Sequence, residues 1–501
     1  MKKIFLYLTC LLASISSSYA QNIGIGTTTP NSSAVLDLQS NNKGMLVPRI
    51  ALTSANTASP VTAPADALLI YNTATAGSGI NAVIPGFYYW SVSANRWSPI
   101  SPTVSTENLG FGSWGDCSGS GVSEYYPVGD DNGYYGSGFG ASVSISGNYA
   151  IIGDNYDGDN GSASFYQFNG TNWVFMQKVT DATGDFFDWF GASVSISGNY
   201  AIVGAVYDDN GATLNQGSAS IFQYNGTNWV LMQKIVPAGG TNDYFGVSVS
   251  ISGNYAVVGR YGADLGNGPS QGAVHIYQYN GSSWVLMQQI IDATGAAGDS
   301  FGGSVSISGN YVVIGSASDD VGANANQGSA SIFRYNGASW VLMQKITDAT
   351  GAADDRFGSS LAISGTYVIV GAYNDDVGTN IDQGSASIYR YNGTNWILMQ
   401  KITDPTGSAD DIFGFSVCIS GNYAIIGTIR DDIGTNSNQG SANIYVRVGA
   451  GWQKLQYLVD PGGNYNEQFG YPVGVDGISK RFLIGSSGPV NAGKVVFGKI
   501  N

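Results

Sequence analysis

Histidine, cysteine and glutamate are scarce in this chain of 501 residues. It contains one histidine, His275, three cysteines, and three glutamates at Glu107, Glu124 and Glu467. Hydrolytic centres built from Ser–His–Asp or Cys–His sets, and zinc sites built from histidine and cysteine clusters, are therefore not expected. The composition predicts a protein that is not an enzyme.

Positive charge is also in short supply. Lysine and arginine total 20 against 35 acidic residues, which gives a net charge of −15. Such a charge repels phosphate backbones and anionic lipids, so no nucleic acid partner is expected. Of the 35 acidic residues, 32 are aspartates and three are glutamates. Aspartate favours turns, whereas glutamate favours helices. The excess of aspartate predicts an almost helix-free chain, and the net charge leaves metal ions, neutral glycans and basic surfaces open as partners.

Long apolar runs are confined to the N-terminus. Met1-Lys2-Lys3 precedes an apolar stretch from Ile4 to Ala13, and the small-residue sequence Ser18-Tyr19-Ala20 follows. This order predicts a signal peptide over residues 1–20. No later stretch is long and apolar enough to cross a bilayer. The expected product is secreted or displayed at the cell surface, without a membrane span.

Two cysteines remain after removal of the signal peptide, Cys117 and Cys418. Export permits a disulfide between them. Two unpaired thiols are the alternative, since Cys418 occupies a serine position of a repeat and Cys117 lies in a separate segment. The sequence leaves both open.

A repeat of about 56 residues dominates the chain. A Phe-Gly pair opens each copy, and the differences between successive pairs are 51, 55, 56, 56, 56 and 56 residues. The phenylalanines are Phe139, Phe190, Phe245, Phe301, Phe357, Phe413 and Phe469. A fixed period of this length indicates stacked or radially arranged repeats.

Each copy contains four segments with the alternation of β-strands. In the fifth copy they are residues 359–364, 367–370, 385–391 and 396–402, and Asn392-Gly393 separates the last two. Asn-Gly suits a tight hairpin, because both central residues of a type I′ turn need a positive φ. The sequence predicts an all-β, seven-bladed β-propeller of four-stranded antiparallel blades.

The seventh copy ends at its third strand and lacks a fourth. Residues 121–131, which precede the first copy, align without a gap on residues 395–405, so that Val128 takes the place of Ile402. We therefore expect a propeller over residues 122–501 that is closed by a strand at residues 122–128. Residues 106–121, rich in Gly and Ser, are predicted to be a linker.

Aspartates concentrate in the loops after the second and fourth strands, which strand order places on one face. This face is expected to be acidic and to display ligand-binding loops. The loops after second strands carry Asp208, Asp209, Asp319, Asp320, Asp375, Asp376, Asp431 and Asp432. Those after fourth strands carry Asp299, Asp354, Asp355, Asp410 and Asp411.

One loop resembles a cation site more than the others do. Asp154, Asn155, Asp157 and Asp159 alternate oxygen-bearing side chains with Gly158. Ca²⁺ prefers such oxygen ligands, so calcium is a candidate cofactor. Asx-turns that keep the loop solvated are the alternative.

Residues 21–105 do not share the period and are predicted to form a β-rich module. This stretch resembles an N-terminal module of exported Bacteroidota proteins that is similar to parts of phage tail fibres. The resemblance lies in residues 24–27, 34–38, 43–49, 69–72 and 87–90, together with Trp97. Fibre pieces of this kind often intertwine as trimers, so the resemblance implies a homotrimer. A single small β-domain remains the alternative.

The repeats resemble the FG-GAP family, the propeller units of integrin α-chains and of many bacterial surface proteins. Phe357-Gly358, Val370-Gly371-Ala372 and Gly384-Ser385-Ala386 carry the resemblance. Integrin-type units hold calcium between the first two strands, where this chain has only Ser364-Gly365-Thr366. That calcium site is therefore not expected here.

The repeated tryptophan and the single histidine are two further candidates for a functional role. A tryptophan opens most fourth strands, as at Trp396, and packing between blades or stacking on a sugar both explain it. His275 stands where other copies have Ser220 or Ser331, so we expect it to be structural. The overall expectation is a secreted or cell-surface protein for adhesion to a protein or glycan. A structural component of an extracellular appendage or matrix is the alternative, and a glycan-active enzyme comes third.

Overall fold

The computed structural model describes residues 23–25, 36–38, 45–76, 83, 85–92, 95–100, 122–129, 138–158, 160–265, 268–486, 488 and 493–500. The chain divides into two units, residues 1–105 and 106–501. The described residues form strands and turns, and they include no helix that could span a membrane. The predicted signal peptide, the predicted linker at residues 106–121 and Cys117 lie outside them.

The first unit contains a small mixed sheet. Its four strands run in the order β3-β4-β5-β6, with β3 and β4 parallel and the others antiparallel, and a separate parallel pair joins β1 to β2. The strands are β1 (Ile23–Ile25), β2 (Leu36–Leu38), β3 (Arg49–Ile50), β4 (Leu69–Asn72), β5 (Gly86–Ser91) and β6 (Arg96–Ile100). Leu52, Ile70, Tyr88, Trp90 and Trp97 form its buried core.

The second unit contains seven four-stranded antiparallel sheets, here called sheets 1 to 7. Sheets 1 and 2 are β8 (Phe139–Ser146), β9 (Tyr149–Asp154), β10 (Ser162–Phe168) and β11 (Trp173–Val179), then β12 (Phe190–Ser197), β13 (Tyr200–Ala205), β14 (Ser218–Tyr224) and β15 (Trp229–Ile235). Sheets 3 and 4 are β16 (Phe245–Ser252), β17 (Tyr255–Arg260), β18 (Ala273–Tyr279) and β19 (Trp284–Ile290), then β20 (Ser304–Ser308), β21 (Tyr311–Ser316), β22 (Ser329–Tyr335) and β23 (Trp340–Ile346).

Sheets 5 and 6 are β24 (Ser360–Ser364), β25 (Tyr367–Ala372), β26 (Ser385–Tyr391) and β27 (Trp396–Ile402), then β28 (Phe413–Ser420), β29 (Tyr423–Thr428), β30 (Ser441–Val448) and β31 (Gly451–Leu458). Sheet 7 combines β32 (Phe469–Asp476), β33 (Arg481–Ser486) and β34 (Lys494–Ile500) with β7 (Val122–Gly129). The predicted all-β class is confirmed, and so are the four-stranded antiparallel units.

Strand β7 precedes sheet 1 in the chain but pairs with β34 of sheet 7. Val128 lies opposite Val495, just as Ile402 lies opposite Ala386 in sheet 5. The alignment of residues 121–131 on residues 395–405 predicts this register. The outer strand of sheet 7 therefore comes from the other end of the repeat region.

Apolar side chains fill the space between successive sheets. Six core clusters join sheet 1 to 2, 2 to 3, 3 to 4, 4 to 5, 5 to 6 and 6 to 7. A seventh contains Phe139 and Ile152 of sheet 1 together with Leu483, Val495 and Phe497 of sheet 7. Sheet 7 thus packs against sheet 1 through the same kind of contact.

The glycines of the repeat permit this close packing. Gly358, at φ +92°, follows the buried Phe357, and a Cβ atom there would overlap the carbonyl oxygen of Ser329 in the preceding sheet. A Cβ atom on Gly371 would overlap the carbonyl oxygen of Gly414 in the next sheet. The Phe-Gly and Val-Gly-Ala motifs are therefore requirements of sheet-to-sheet contact.

The first strands are linked in one direction by polar side chains. Ser360 Oγ donates to the carbonyl oxygen of Gly414 at 2.7 Å, and Ser420 Oγ accepts from Gly477 N–H at 3.0 Å. At the junction from sheet 7 to sheet 1, Asp476 stands in the Ser420 position and accepts from Gly147 N–H. The same kind of hydrogen bond therefore also links sheet 7 to sheet 1.

The outer strands are linked by a glutamine that binds the backbone of the next tryptophan. Gln344 donates to the carbonyl oxygen of Trp396 at 3.1 Å and accepts from its N–H at 2.9 Å. The ring of Trp396 is buried and lies 5.8 Å from that of Tyr311. The same pattern occurs at Trp229, Trp284, Trp340 and Trp452. These tryptophans pack between sheets and are not available for stacking on a sugar.

Candidate functional site

In sheets 2, 4 and 5 the first aspartate of the loop pair is buried and bonded to a lysine of the outer strand, whereas in sheet 6 Asp431 accepts hydrogen bonds from Tyr457 and Ser441 instead. Lys401 Nζ lies 2.6 Å from Asp375 Oδ2 of its own sheet and 2.7 Å from Asp348 Oδ2 of the preceding loop. Lys345 joins Asp319 and Asp292 in this way, and Lys234 joins Asp208 and Asp181. Each cluster sets one lysine against two aspartates, so part of the predicted negative charge is neutralised inside the loops.

The ion pairs lower the pKa of the aspartate that lies in the loop before each of these sheets. Burial acting alone would raise the pKa of Asp348, but hydrogen bonds from Lys401 and Thr350 hold it below its usual value. The pKa values of Asp181 and Asp292 are lowered by the same arrangement. In turn the two aspartates raise the pKa of Lys401, in spite of its burial.

A third carboxyl group lies beside each lysine cluster and is nearly inaccessible. Asp355 accepts the N–H of Ala352 at 2.7 Å, and Asp411 accepts that of Ser408 at 2.6 Å. Burial is the main cause that raises the pKa of Asp188, Asp355 and Asp411 to about 6, with a further contribution from neighbouring carboxylates. These aspartates anchor their loops from within.

Sheet 3 departs from this pattern in four positions at once. Gln289 replaces the lysine, Ala263 and Pro237 replace its two aspartates, and Arg260 takes over the buried third acid, Asp243. Loss of the cation is thus accompanied by loss of two anions. This compensation within one chain indicates that the clusters serve folding.

The second aspartate of each pair stabilises its own loop. Asp376 Oδ1 accepts the N–H of Asp382 at 2.9 Å, six residues further on. Asp209, Asp320 and Asp432 make the same bond to Asn215, Asn326 and Asn438. Asp320, Asp376 and Asp432 are exposed, so they remain part of the surface that a ligand would meet.

The candidate cation loop shares this architecture. Asp157 stands in the position of Asp208 and is bonded to Lys178 and to Ser162 Oγ. Asp154 accepts the N–H of Tyr156 at 3.3 Å, Asn155 is adjacent to it, and Asp159 lies outside the described residues. Within the part of the chain that the structure describes, no group of three or more acidic, histidine or cysteine side chains is placed to hold a metal ion.

The least repetitive feature of this face is a series of aromatic rings, here called the aromatic surface. It runs from Tyr156 through Trp189, Tyr207 and Tyr244 to Tyr261, across the loops of sheets 1 to 3. Successive ring centroids lie 5.1, 4.6, 5.6 and 5.1 Å apart. The repeat positions of Trp189 and Tyr207 hold Arg356 and Asn374 in the fifth copy.

Phe186 and Phe187 extend the aromatic surface towards solvent. Each is 63% exposed, and their rings lie 5.0 Å apart. Phe187 has a φ of 69°, in the left-handed region that disfavours bulky side chains. The corresponding positions of other loops hold residues better suited to it: Asn242, Gly298, Asp354, Asp410 and Asn466. A strained, exposed phenylalanine points to a role in function.

A pocket opens within this surface. Its volume is about 280 Å³, and it is lined by Phe186, Phe187, Asp188, Trp189, Tyr207, Asp209 and Asn215. Aromatic faces beside a few carboxylate and amide groups suit ligands that have both apolar faces and hydrogen-bonding groups. The repeat motifs did not reveal this site. The signal available in the sequence was the aromatic substitution at variable repeat positions.

The remaining candidates from the sequence lie away from the aromatic surface. His275 is buried on β18, with its Nδ1 3.3 Å from Tyr277 Oη, and burial lowers its pKa to about 4. Such a histidine is neutral at physiological pH. Cys418 is a free thiol on β28, and burial raises its pKa to about 11. Cys117 lies outside the described residues.

Comparison with known families identifies both parts of the chain. A family described as FG-GAP repeat matches residues 173–222, 229–277, 284–333, 340–389 and 396–445. This chain is an FG-GAP repeat protein. The matched segments begin at fourth strands and cover sheets 2 to 6, so the resemblance stated from the motifs is confirmed.

The N-terminal region of this FG-GAP repeat protein matches a second family. Residues 24–110 match a phage tail like trimerisation region, which confirms the resemblance to tail fibres. It also hints at a trimer. No curated protein matches the chain.

Proposed function

We propose that sheets 1 to 7 form a closed seven-bladed propeller. The shared core of sheets 1 and 7, the pairing of β7 with β34 and the Asp476–Gly147 bond all support this arrangement. Closure buries the apolar faces of the first and last sheets, which an open stack would leave exposed to solvent. The propeller would hold all long loops on one rigid face.

We propose further that the protein is exported and binds an extracellular protein or glycan through this face. FG-GAP repeats are found in propeller-like binding and adhesion proteins, which supports a binding role. The observation that carries the site is the aromatic surface, because Phe187, which is 63% exposed, stands where the other loops have Asn, Asp or Gly. Ion pairs of Lys178, Lys234 and Arg260 hold the loops that carry this surface.

The experiment is a binding array of glycans and extracellular proteins, probed with the intact protein and with a Phe187→Ser variant. Both probes are run with and without Ca²⁺, which tests whether calcium contributes. We expect one or more ligands whose signal falls at least about tenfold in the variant, corresponding to loss of a contact worth roughly 1.4 kcal/mol. Asp354→Ser, at the corresponding position of the loop that leads into sheet 5, is the matched control.

The array separates the two ligand classes by which members bind. A ligand that binds the intact protein and the Phe187→Ser variant equally would show that its binding site lies outside the aromatic surface. Turnover of a bound glycan would contradict our proposal that the protein is not an enzyme.

A second candidate, a structural component of an extracellular appendage, is favoured by the trimerisation-region match. Its test is the mass in solution of the mature chain, with and without residues 21–105. A trimer that becomes a monomer on deletion supports display by a fibre. A monomer in both cases favours a simple binding protein.

A further inference from the structure

The lysine cluster at the entry to sheet 7 is built differently from the others. The outer strand of sheet 7 is β7, and it has Pro127 where sheet 5 has Lys401. The cation comes instead from Lys494, the first residue of β34. The third acid is Glu467, the only glutamate at a position that is aspartate in the loops leading into sheets 2 to 6.

This substitution changes what the third acid can reach. In sheet 5, Asp355 accepts the Ala352 N–H, while Lys401 is bonded to Asp348 and Asp375. The longer Glu467 accepts the Asn464 N–H through Oε2, at 2.7 Å, and places Oε1 2.5 Å from Lys494 Nζ. Both acids of the cluster therefore meet the same amine.

Lys494 Nζ also contacts Asp460 Oδ2. Asp460 and Glu467 are 3% and 2% exposed, and residues on either side of them belong to the buried core of sheets 6 and 7. Asp460 is further held through Oδ1, which accepts the Gly462 N–H at 3.0 Å, and Ser486 Oγ donates to Glu467 Oε1 at 3.1 Å. The two carboxyl groups are thus buried and held in contact with the amine of Lys494, whose side chain is 25% exposed.

We propose that Lys494 and Asp460 react to form an intramolecular amide bond, with Glu467 as the catalytic residue. The Lys494 Nζ–Asp460 Cγ bond forms, one Asp460 C–O bond breaks, and one water molecule leaves. An ammonium and a carboxylate thereby become one neutral amide and one water, so no oxidant or further reactant is needed. Glu467 takes a proton from Nζ and returns it to the departing oxygen.

The environment supplies what this reaction needs. A buried ion pair is costly, and transfer of a proton from ammonium to carboxylate yields the neutral amine and neutral acid that can condense. Burial raises the pKa of the Glu467 carboxyl, so a protonated form is accessible beside the Lys494 amine that Asp460 also contacts. The product links the loop that enters sheet 7 to the strand that pairs with β7.

The test is the intact mass of the purified mature protein. We expect a mass lower than that of its sequence by one water molecule. Trypsin should then release Leu455–Lys480 joined to Phe482–Lys499, because an acylated Lys494 is not cleaved. A mass equal to that of the sequence overturns the proposal, and so does a linked peptide that maps elsewhere.

Variants assign the roles. Lys494→Arg should restore the full mass, and Lys401→Arg, the matched control at sheet 5, should leave the loss of water unchanged. Should Lys494→Arg fail to fold, Glu467→Gln provides the same information, because it keeps the shape but removes the proton carrier. Full bond formation in Glu467→Gln would exclude the role given to Glu467.

Discussion

The loops that enter sheet 2 and sheet 5 have the same frame and different surfaces. Phe187 and Asp354 are both left-handed, with φ values of 69° and 66°, and each precedes a buried aspartate whose pKa burial raises to about 6. A lysine bonded to two aspartates stands behind each loop. Only the outward side chains differ, since the first loop carries aromatic rings and the second small and charged residues.

The difference separates two kinds of information in the repeat. Positions that recur hold the sheets together and fix the loops. Positions that vary decide what a loop presents to solvent. In such a protein we expect functional residues at positions where one copy differs from the others at an energetic cost, as at Phe187. Positions at which all copies agree are expected to be structural.

The largest expected effect comes from removing the strand on which the common frame depends. A chain that begins at residue 130 lacks β7, so β34 loses its partner and the contact of sheets 7 and 1 is weakened. We expect the melting temperature to fall by about 10 °C or more. A chain that begins at residue 106 is the control and should melt like the mature protein. Equal melting of both would mean that β7 contributes nothing to closure.

A smaller effect is expected from breaking one lysine cluster. Lys401→Met leaves Asp348 and Asp375 buried and unpaired, and should cost roughly 2 kcal/mol of unfolding free energy after allowance for partial exposure of the lysine. The exposed Lys480→Met should change it by less than about 0.5 kcal/mol. Urea unfolding measures both. Equal effects would remove the structural role assigned to the clusters.

The same clusters could be recognised from sequence only in part. The period, the strands and the register of β7 follow from alignment of the copies, because Phe-Gly, Asn-Gly and alternation report on local geometry. The sequence does not show whether the Asp375 side chain points to solvent or to Lys401. That direction depends on the position of Lys401, 26 residues away, which only the fold determines. For the same reason the acidic face was expected to be more negative than the structure makes it.

The aromatic surface escaped prediction for a different reason. Tyr156, Trp189 and Tyr244 are far apart in sequence and belong to three loops, and only the packing of adjacent sheets brings their rings together. The repeated Trp396 and its equivalents were easier to notice and are buried. Aromatic residues that recur from copy to copy are thus easy to find in the sequence but are structural, whereas the exposed aromatic residues occur in single copies and are harder to find.

Stability should also depend on pH in a direction set by the buried third acids. The pKa values of Asp188, Asp355 and Asp411 are about 6 in the folded state against 3.8 ordinarily, so the folded state binds protons more tightly. Their contribution is fully present below about pH 3.8 and is lost as the pH rises through 6.

Urea unfolding at pH 5 and pH 8 measures this dependence. We expect the protein to be more stable at pH 5, and Asp355→Asn, which mimics the protonated acid, to reduce the difference. Below about pH 3.8 the lysine-bonded aspartates, such as Asp348, become protonated and stability falls again. His275, whose pKa burial lowers to about 4, acts in the opposite direction between these pH values, so the decisive comparison is with the variant: a pH dependence that Asp355→Asn leaves unchanged would contradict the burial of Asp355.

The smallest expected effect concerns strain at the aromatic surface. Phe187→Gly places glycine at a φ of 69°, and should raise the unfolding free energy by up to about 1 kcal/mol while weakening ligand binding. Asp354→Gly makes the same backbone change in the loop of sheet 5 and should leave binding intact. A loss of stability in Phe187→Gly would show that the ring is needed for folding.

Closure of the seven sheets is tested most directly by a contact between the first and the last. Arg481 of sheet 7 lies over the ring of Phe168 of sheet 1, with 3.6 Å between the guanidinium carbon and the ring centroid. A double-mutant cycle with Arg481→Ala and Phe168→Ala measures their coupling in unfolding free energy. A closed propeller predicts roughly 0.5 to 1 kcal/mol. A coupling of zero within error would contradict it.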